Sequence, residues 1–453
     1  MSWTCHAMLA AAAALPVQIL AFTTNTLRLQ EGVVPTTNGI PVAGASAYSG
    51  TVDTHIMLDF PTNSYGDQPI LRFHKHNYSS NTIHAFIRFE NFQNYLPEKA
   101  AVVGARLYLT SAGDGDTASE GNEFGFVNSP WDESLTWNTR GSTVSGRTPI
   151  GSWLRPGGSE WTSGTVSYVC LTAMVQAWRS NQKPNYGITL CAKEGFMSTY
   201  REHRCHSSES PEIEKRPYLE IDYVVPELFC ESNKYYLRSV IITNGPAVLE
   251  DTFIRSNNVN YAAADKVSWL GTWNYTPDPP ERILLRIDMN NPALSELART
   301  GQRIAGKPIL VSAQLQLNAE LNDRCSYVNL WKCNQPWIAA QATGGYGLGT
   351  RDGTNSWAAP WSFQISNVDG PVVSQAWFPS PMYAGTLHFD ITGPIQQYAD
   401  GSNNFGFVIG ETGYDGTYGL RVVLSEYAAE FMRPTLVLET KIPQMRGTVV
   451  LVK

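Results

Sequence analysis

"KPNYGITLCAKEG" at residues 183–195 and "SNNFGFVIGETG" at residues 402–413 share one pattern, in which Asn, an aromatic residue and Gly precede a run of apolar residues. Gly readily adopts left-handed backbone conformations that other residues resist, so the pattern predicts a turn that starts a strand. The same turn and strand, written twice in one chain, indicate a duplicated unit.

Other segments repeat in the same order. "HAFIRFENF" at 84–92 matches "RILLRIDMN" at 282–290, and "RPYLEIDY" at 216–223 matches "RPTLVLET" at 433–440. Segment order is kept while the offset between the copies grows, which indicates insertions confined to loops. The sequence therefore predicts a signal peptide, two homologous modules and a tail with an extra strand, at 1–22, 23–226, 227–440 and 441–453.

The repeated segments are typical of strands. "ARLYLT" at 105–110 and "AQLQLN" at 313–318 alternate apolar and polar residues, as half-buried strands do. Each copy also has one stretch of helical periodicity, for which Thr172 and Thr392 are the predicted caps. The periodic residues are Leu171, Met174, Val175 and Trp178 in the first copy, and Ile391, Pro394, Ile395 and Tyr398 in the second. The predicted fold is all-β, with two tandem antiparallel β-sandwich (jelly-roll-like) domains that each carry one short helix.

Composition excludes several classes of protein. Only 16% of the 453 residues are charged, 11% are aromatic, and Gly and Pro number 37 and 27. This mixture favours short strands and tight turns over a helical bundle or a disordered chain. The net charge of −7, without a long basic run, argues against a nucleic-acid partner.

Residues 1–22 contain an apolar stretch and no acidic residue, which is typical of a secretory signal peptide cleaved near Ala21. The alternative is an unprocessed N-terminal helix. No other segment has the length and apolarity of a membrane span, so the mature chain is predicted to be extracellular, at a cell surface or in a filament.

Removal of the signal would leave six cysteines, and Cys191 and Cys205 flank one long loop, which makes them the candidate disulfide. The alternative is that both are buried thiols. Asn77 and Asn274 begin Asn-Tyr-Ser and Asn-Tyr-Thr, the acceptor pattern for N-glycosylation on surface loops.

Four segments together resemble a known family. "WDESLTWN" at 131–138, "LTAMVQAWRSNQKPNYGITL" at 171–190, "RPYLEIDY" at 216–223 and "DTFIRSNNVNYAAADKVSWLG" at 251–271 are similar to the DNRLRE domain, a secreted β-sandwich module related to carbohydrate-binding modules. The resemblance covers nearly all of the chain after residue 22. It implies an extracellular and usually non-catalytic module, found in surface proteins or attached to polysaccharide-acting enzymes, some relatives of which bind acidic polysaccharide.

Binding of polysaccharide requires exposed aromatic rings, and several Trp residues lie in Gly-, Ser-, Asn- and Pro-rich stretches where such rings would be presented. The alternative is that long loops fold back and bury them. Trp131, Trp137 and Trp178 are instead predicted to lie in the core. The candidate ligand-binding residues are Trp153, Trp161, Trp273, Trp357, Trp361 and Trp377.

Acidic residues are densest in "AGDGDTASEGNE", where Asp114, Asp116 and Glu120 resemble a calcium loop in composition. A solvated acidic loop is the competing interpretation, so structural calcium is the one cofactor indicated and none is required. Asp53 and Asp251 occupy equivalent positions in the two copies. For these two, a structural hydrogen bond to a nearby turn is predicted rather than metal binding.

No nucleophile, paired carboxylate or phosphate-binding motif stands out, so the chain is predicted not to be an enzyme. The predicted function is polysaccharide binding by a secreted, non-catalytic cell-surface or extracellular-matrix protein. One alternative is a structural subunit of a filament or surface layer, in which a terminal strand at 447–453 adds to a sheet of a neighbouring subunit. Another is a polysaccharide-acting hydrolase or lyase.

Overall fold

Antiparallel pairing of short strands dominates the structure, as the alternating segments predict. The computed structural model describes residues 24–75, 82–113, 122–141, 148–153, 163–192, 203–231, 234–244, 248–254, 261–264, 266–270, 281–320, 326–334, 336–337, 339, 342, 368–378, 384–412, 420–427 and 432–444. Within these residues every strand pair is antiparallel. The chain is mostly β, with few helices.

Thirteen strands lie among the described residues before residue 225. They are β1 (Asn25–Gln30), β2 (Thr36–Thr37), β3 (Ile40–Pro41), β4 (Thr51–Met57), β5 (Ile70–Lys75), β6 (Thr82–Phe89), β7 (Ala101–Thr110), β8 (Asn122–Phe126), β9 (Thr148–Trp153), β10 (Val166–Cys170), β11 (Ile188–Ala192), β12 (His203–His206) and β13 (Tyr218–Val224). They form a first sheet of order β10-β7-β13-β1-β2-β3 and a second of order β12-β5-β6-β11-β8-β9, with β4 also on β6.

In the part of the chain after residue 227 that the structure describes there are twelve strands. They are β14 (Leu228–Glu231), β15 (Lys234–Asn244), β16 (Leu249–Ile254), β17 (Lys266–Leu270), β18 (Arg282–Ile287), β19 (Ile309–Glu320), β20 (Ser326–Cys333), β21 (Val368–Phe378), β22 (Ala384–Asp390), β23 (Phe407–Thr412), β24 (Leu420–Val423) and β25 (Thr435–Pro443). The third sheet has the order β14-β15-β25-β19-β24-β17 with β22 on β19, and the fourth has the order β16-β18-β23-β20-β21.

We call the residues up to 224 the first half and those from 228 the second half. The predicted boundary at 226/227 falls in the short connection between β13 and β14. The division into two jelly-roll-like sandwiches is finer than this description and stays a prediction.

The predicted helical stretches are helices. The α-helices among the described residues are α1 (Thr172–Arg179), α2 (Pro292–Ser295) and α3 (Thr392–Ala399), with 3₁₀ turns at Phe92–Tyr95 and Ile213–Lys215. The prediction of one helix per copy was therefore wrong for the second half, which has α2 as well as α3. The four residues of α2 lie where the first half has the turn at Phe92–Tyr95.

The predicted role of Thr172 and Thr392 as helix caps was wrong. Leu171 and Ile391 hold the N-cap positions, without a side-chain cap bond. The Thr172 hydroxyl instead accepts a hydrogen bond from the Ala105 amide at 3.0 Å, and that of Thr392 accepts one from Ala313 at 2.9 Å. Each hydroxyl therefore ties its helix to the neighbouring strand, β7 or β19.

The two Asn-aromatic-Gly turns have the same structure. Gly187 and Gly406 have φ of 73° and 79°, and each is followed at once by a strand, β11 or β23, that lies inside its sheet. The Asn185 side chain donates to the Phe89 carbonyl at 2.7 Å, and Asn404 donates to Ile287 at 2.6 Å. The prediction that these turns start central strands is confirmed.

Buried apolar side chains come from both sheets of each half. In the first half, one cluster joins Leu27 and Leu107 of the first sheet to Ile87 and Leu190 of the second. A corresponding second-half cluster joins β19 and β25 to β18 and β23. The two halves share part of one core, because the first-half cluster also includes Val423, Tyr427 and Met432.

Candidate functional site

An Arg–Trp pair recurs in both halves. Arg88 donates to the Trp131 carbonyl at 3.0 Å, and its guanidinium lies 4.9 Å from the centre of the Trp131 ring. In the second half, Arg286 donates to the Trp337 carbonyl at 3.1 Å, with its guanidinium 5.2 Å from the centre of that ring. Each Trp ring nitrogen donates at 2.7 Å to a carbonyl in the Asn-aromatic-Gly turn. Because both halves contain this arrangement in full, it belongs to the scaffold. Sequence reasoning missed Trp337, although Pro-Trp at 130–131 and 336–337 signals the equivalence.

A row of tyrosines distinguishes the first half. Tyr168, Tyr108 and Tyr218 are register partners on the adjacent strands β10, β7 and β13. The rings of Tyr108 and Tyr218 stack with centroids 4.5 Å apart, and Tyr168 is tilted by 45° to Tyr108 at 5.5 Å. Arg28 of β1 extends the row, with its guanidinium 3.7 Å from the Tyr218 centroid. All four side chains are half-buried.

We call Tyr108, Tyr168, Tyr218, Arg28 and Arg106 the tyrosine face. Because Tyr218 is covered on one side by Tyr108 and on the other by Arg28, the middle of the row presents ring edges and hydroxyls. Tyr168, at the end of the row, is the ring best placed to offer a flat surface. Rings of this kind pack against the apolar faces of ligands while their hydroxyls make hydrogen bonds.

Arg106 is fixed by its neighbours on the tyrosine face. It donates to the Tyr108 hydroxyl at 3.1 Å and pairs with Asp222 at 2.9 Å and Glu220 at 3.6 Å. Burial is the largest single influence on the pKa of Arg106 and lowers it, but the charges and hydrogen bonds of Asp222 and Tyr108 together raise that pKa, so the guanidinium remains charged. Burial raises the pKa of the phenols of Tyr108, Tyr168 and Tyr218, which therefore stay neutral and can donate hydrogen bonds.

The second half has no equivalent of the tyrosine face at the matching positions. There β19 carries Gln314 and Gln316 in place of Arg106 and Tyr108, and β22 carries His388 in place of Tyr168. His388 shares a hydrogen bond of 3.0 Å with Gln314 and is exposed. These residues lie beside the tyrosine face, because Thr386 of β22 contacts Cys170 of β10, the strand of Tyr168.

Direct contacts join the halves at this place. The thiol of Cys170 on β10 is 3.4 Å from the Thr386 hydroxyl on β22, and Gln316 donates to the Val103 carbonyl at 3.5 Å. The end of the tyrosine row that carries Tyr168 is therefore next to the second half.

Most residues predicted from sequence lie outside the described residues or have side chains that are not described. Trp153 lies in β9 and Trp377 lies in β21, and for these two residues only the backbone is described. The remaining predicted residues and segments, which lie outside the described residues, are 1–22, Asn77, Asp114, Asp116, Glu120, Trp161, Trp273, Asn274, Trp357, Trp361 and 447–453.

The predicted disulfide was wrong. Cys191 and Cys205 are both buried thiols, not joined to each other. Cys191 lies on β11 and Cys205 on β12, and β5 and β6 lie between these strands in the sheet. At about 4.8 Å per strand, three spacings exceed the Cα separation that a disulfide tolerates.

Two of the three Trp residues predicted for the core are buried there. Trp131 and Trp178 are 7% and 3% exposed. Trp137 packs against the same buried cluster as Trp131 but is only half-buried, with Arg140 4.1 Å from its ring and His84 at its edge. A charged neighbour and the surface position explain the difference.

The equivalent aspartates differ in how they are satisfied. Both carboxylate oxygens of Asp251 accept hydrogen bonds from Ser425, at 2.9 Å from the amide and 2.8 Å from the hydroxyl, so its predicted structural role is confirmed. Asp53 accepts one from the Ser208 amide at 2.8 Å, while its Oδ1 is buried without a hydrogen-bond partner. The prediction therefore accounts for only one oxygen of Asp53.

Among the described residues, no group of three or more His, Cys, Asp or Glu side chains could hold a metal ion. None of the helices found there is long and apolar enough to cross a membrane.

Comparison with known proteins gives one informative match. Residues 45–223 match carbohydrate-binding module family 96, which is less than half of the chain but nearly all of the first half. No curated protein matches the sequence. The first half thus contains a domain like a carbohydrate-binding module, and no catalytic family is found. The finer assignment to the DNRLRE domain stays a prediction.

Similarity to solved structures is slight. The tandem CBM22 domains at the N-terminus of Xyn10C from Paenibacillus barcinonensis share 9% identity at a TM-score of 0.15, over 88% of this chain and 100% of that one. The infectious bursal disease virus VP2 subviral particle shares 6% identity at a TM-score of 0.12, over 94% of this chain and 77% of that one. The N-terminal domain of the Streptococcus gordonii adhesin Sgo0707 shares 8% identity at a TM-score of 0.10, over 80% of this chain and 53% of that one. Scores this low carry no argument about fold or function.

Proposed function

We propose that this protein is a secreted, non-catalytic polysaccharide-binding protein and that the tyrosine face of its first half holds the glycan. The observation that carries the proposal is the row of Tyr168, Tyr108 and Tyr218 on three adjacent strands, flanked by Arg28 and Arg106. The match to a carbohydrate-binding module family spans these strands apart from β1.

Each part of the face has a chemical role. The Tyr168 ring packs against a sugar ring, and the phenol hydroxyls exchange hydrogen bonds with sugar hydroxyls. The charged Arg28 and Arg106 donate to hydroxyl or carboxylate oxygens along the chain. Because Asp222 and Glu220 already hold Arg106, that side chain is ordered before a ligand arrives, which reduces the entropy cost of binding.

Substitution of the terminal ring tests the proposal. Affinity electrophoresis and calorimetry against neutral and acidic polysaccharides should show binding by the full chain, and Tyr168→Ala should weaken it at least about tenfold, or ~1.4 kcal/mol. Tyr327→Ala is the matched control, because Tyr327 is an exposed tyrosine, 45% accessible, on β20 far along the chain. Equal affinity in wild type and Tyr168→Ala would remove the tyrosine face from the binding site.

The same samples separate binding from catalysis. A non-catalytic protein leaves the polysaccharide unchanged, so no new reducing ends and no unsaturated products should accumulate during incubation. Release of either would favour the hydrolase or lyase alternative. Secretion is tested by the mature N-terminus of protein recovered from the medium, which is expected near residue 22.

A further inference from the structure

Four carboxylates of the first half influence one another electrostatically. Asp53 lies on β4 and Glu209 follows β12, while Glu31 follows β1 and Glu133 follows the buried Trp131. Asp53 is only 1% exposed. Repulsion from Glu209 is among the electrostatic influences on each of the other three.

Ser208 positions two of these carboxylates against each other. Its amide donates to Asp53 Oδ2 at 2.8 Å, and its hydroxyl donates to Glu209 Oε1 at 2.7 Å. Ser208 therefore bridges the two carboxyl groups. Their remaining oxygens, Asp53 Oδ1 and Glu209 Oε2, are buried and have no hydrogen-bond partner among the described residues.

Two unpartnered carboxylate oxygens held together in a buried place are unfavourable without a positive partner. Arg216 acts on Glu31, yet it is committed to carbonyls, donating to Ser210 at 2.7 Å and to Glu31 at 3.3 Å. Among the described residues, no cationic side chain donates to the two unpartnered oxygens.

The second half provides an internal comparison. Asp251 is equivalent to Asp53, and Ser425 satisfies both of its oxygens. Glu426, the equivalent of Glu209, is exposed, and Ala339 stands two residues after Trp337 where Glu133 follows Trp131. The unsatisfied pair therefore belongs to the first half alone and is not a general feature of the scaffold.

We propose that Asp53 and Glu209 bind a hard divalent cation of the Ca²⁺ type in the first half. Their donors are oxygens only, which such cations prefer. The neighbouring Cys205 is a poor ligand, because burial and the Asp53 charge raise the pKa of its thiol and keep it protonated. Water fills the remaining coordination positions, as it does at Mg²⁺ sites held by one or two carboxylates.

Thermal unfolding of the full chain tests this proposal, with Ca²⁺ and Mg²⁺ as separate probes after treatment with chelator. At a concentration near a hundred times its Kd, the bound ion should raise the melting temperature by about 5 °C. The rise should vanish in Asp53→Asn and in Glu209→Gln, and it should persist in Asp251→Asn. Glu209 is only half-buried, so Glu209→Gln provides a folded variant if Asp53→Asn is unstable.

Calorimetric titration assigns any ion that binds. The predicted loop site at Asp114 and Asp116 is removed by Asp114→Asn with Asp116→Asn, and that variant should keep the stabilisation described above. The proposal is overturned if neither ion stabilises the wild type at millimolar concentration. It is equally overturned if the stabilisation survives in Glu209→Gln. That result would mean that the ion binds elsewhere and that Asp53 and Glu209 share a proton in the wild type.

Discussion

At residue 187 a single Cβ atom determines which side chain is tolerated. A Cβ added to Gly187 would lie 2.2 Å from the Ile87 carbonyl oxygen, and one on Gly406 would lie 2.3 Å from that of Leu285. Both glycines also have positive φ. The backbone conformation and the close approach of the neighbouring strand therefore both require glycine at these positions. The repeated turn is therefore a packing device between neighbouring strands and carries no chemistry of its own.

Gly187→Ala should destabilise the protein by more than about 3 kcal/mol, because it combines backbone strain with a clash against a strand. Gly39→Ala is the matched control, since Gly39 has φ of 79° but nothing within 4 Å of the added Cβ. That change should cost about 1 kcal/mol. Urea unfolding measures both. Similar losses in the two variants would show that the strand approach at Gly187 contributes nothing.

Asp251 makes stability depend on pH. Burial raises its pKa from 3.8 to about 7, despite the opposing hydrogen bonds from Ser425. The folded protein therefore holds a proton that the unfolded chain has lost, so stability is greatest below pH 4 for this group and falls as pH rises towards 7, by up to about 4 kcal/mol. Asp251→Asn removes this dependence.

The melting temperature of Asp251→Asn should therefore gain on the wild type as pH increases from 5 to 8. Asp67→Asn, at an exposed position, controls for the loss of one negative charge. A difference between Asp251→Asn and wild type that stays constant or narrows over this range would contradict the assignment of a proton to Asp251.

At the scale of elements, the sequence predicted what depends on local pattern. Alternation in "ARLYLT" and "AQLQLN" located β7 and β19, and periodicity located α1 and α3. It failed where a distant partner decides. The positions of Thr172 and Thr392 suggest helix caps, but each hydroxyl accepts a hydrogen bond from an amide of a neighbouring strand. In α3 the Asp390 carboxylate accepts from the Thr392 amide at 2.9 Å instead.

Both proposed sites depend on strand register, which local pattern does not contain. Alternation places Tyr108, Tyr168 and Tyr218 on polar faces of their strands, but only pairing between β10, β7 and β13 makes them a row. Asp53 and Glu209 lie in segments whose contact requires β12 to join the second sheet beside β5. The available signal was the difference between copies, since Gln316 and His388 replace two of the tyrosines.

The whole molecule is more tightly joined than two independent modules would be. Tyr427 and Met432 of the second half belong to the hydrophobic cluster of the first, and they are 9% and 5% exposed. The nearby Leu424 is 1% exposed but belongs to the second-half cluster. Neighbouring residues of one short segment thus support different cores.

Met432→Ala should therefore weaken the first half from a distance in sequence. Loss of this buried side chain should cost about 2–5 kcal/mol and accelerate hydrogen exchange in strands before residue 225. Leu424→Ala, of similar cost, should accelerate exchange chiefly in β19 and β25, whose side chains share its cluster. If Met432→Ala left exchange in the first half unchanged, the shared core would not couple the halves, and each would have to be treated as an independent folding unit.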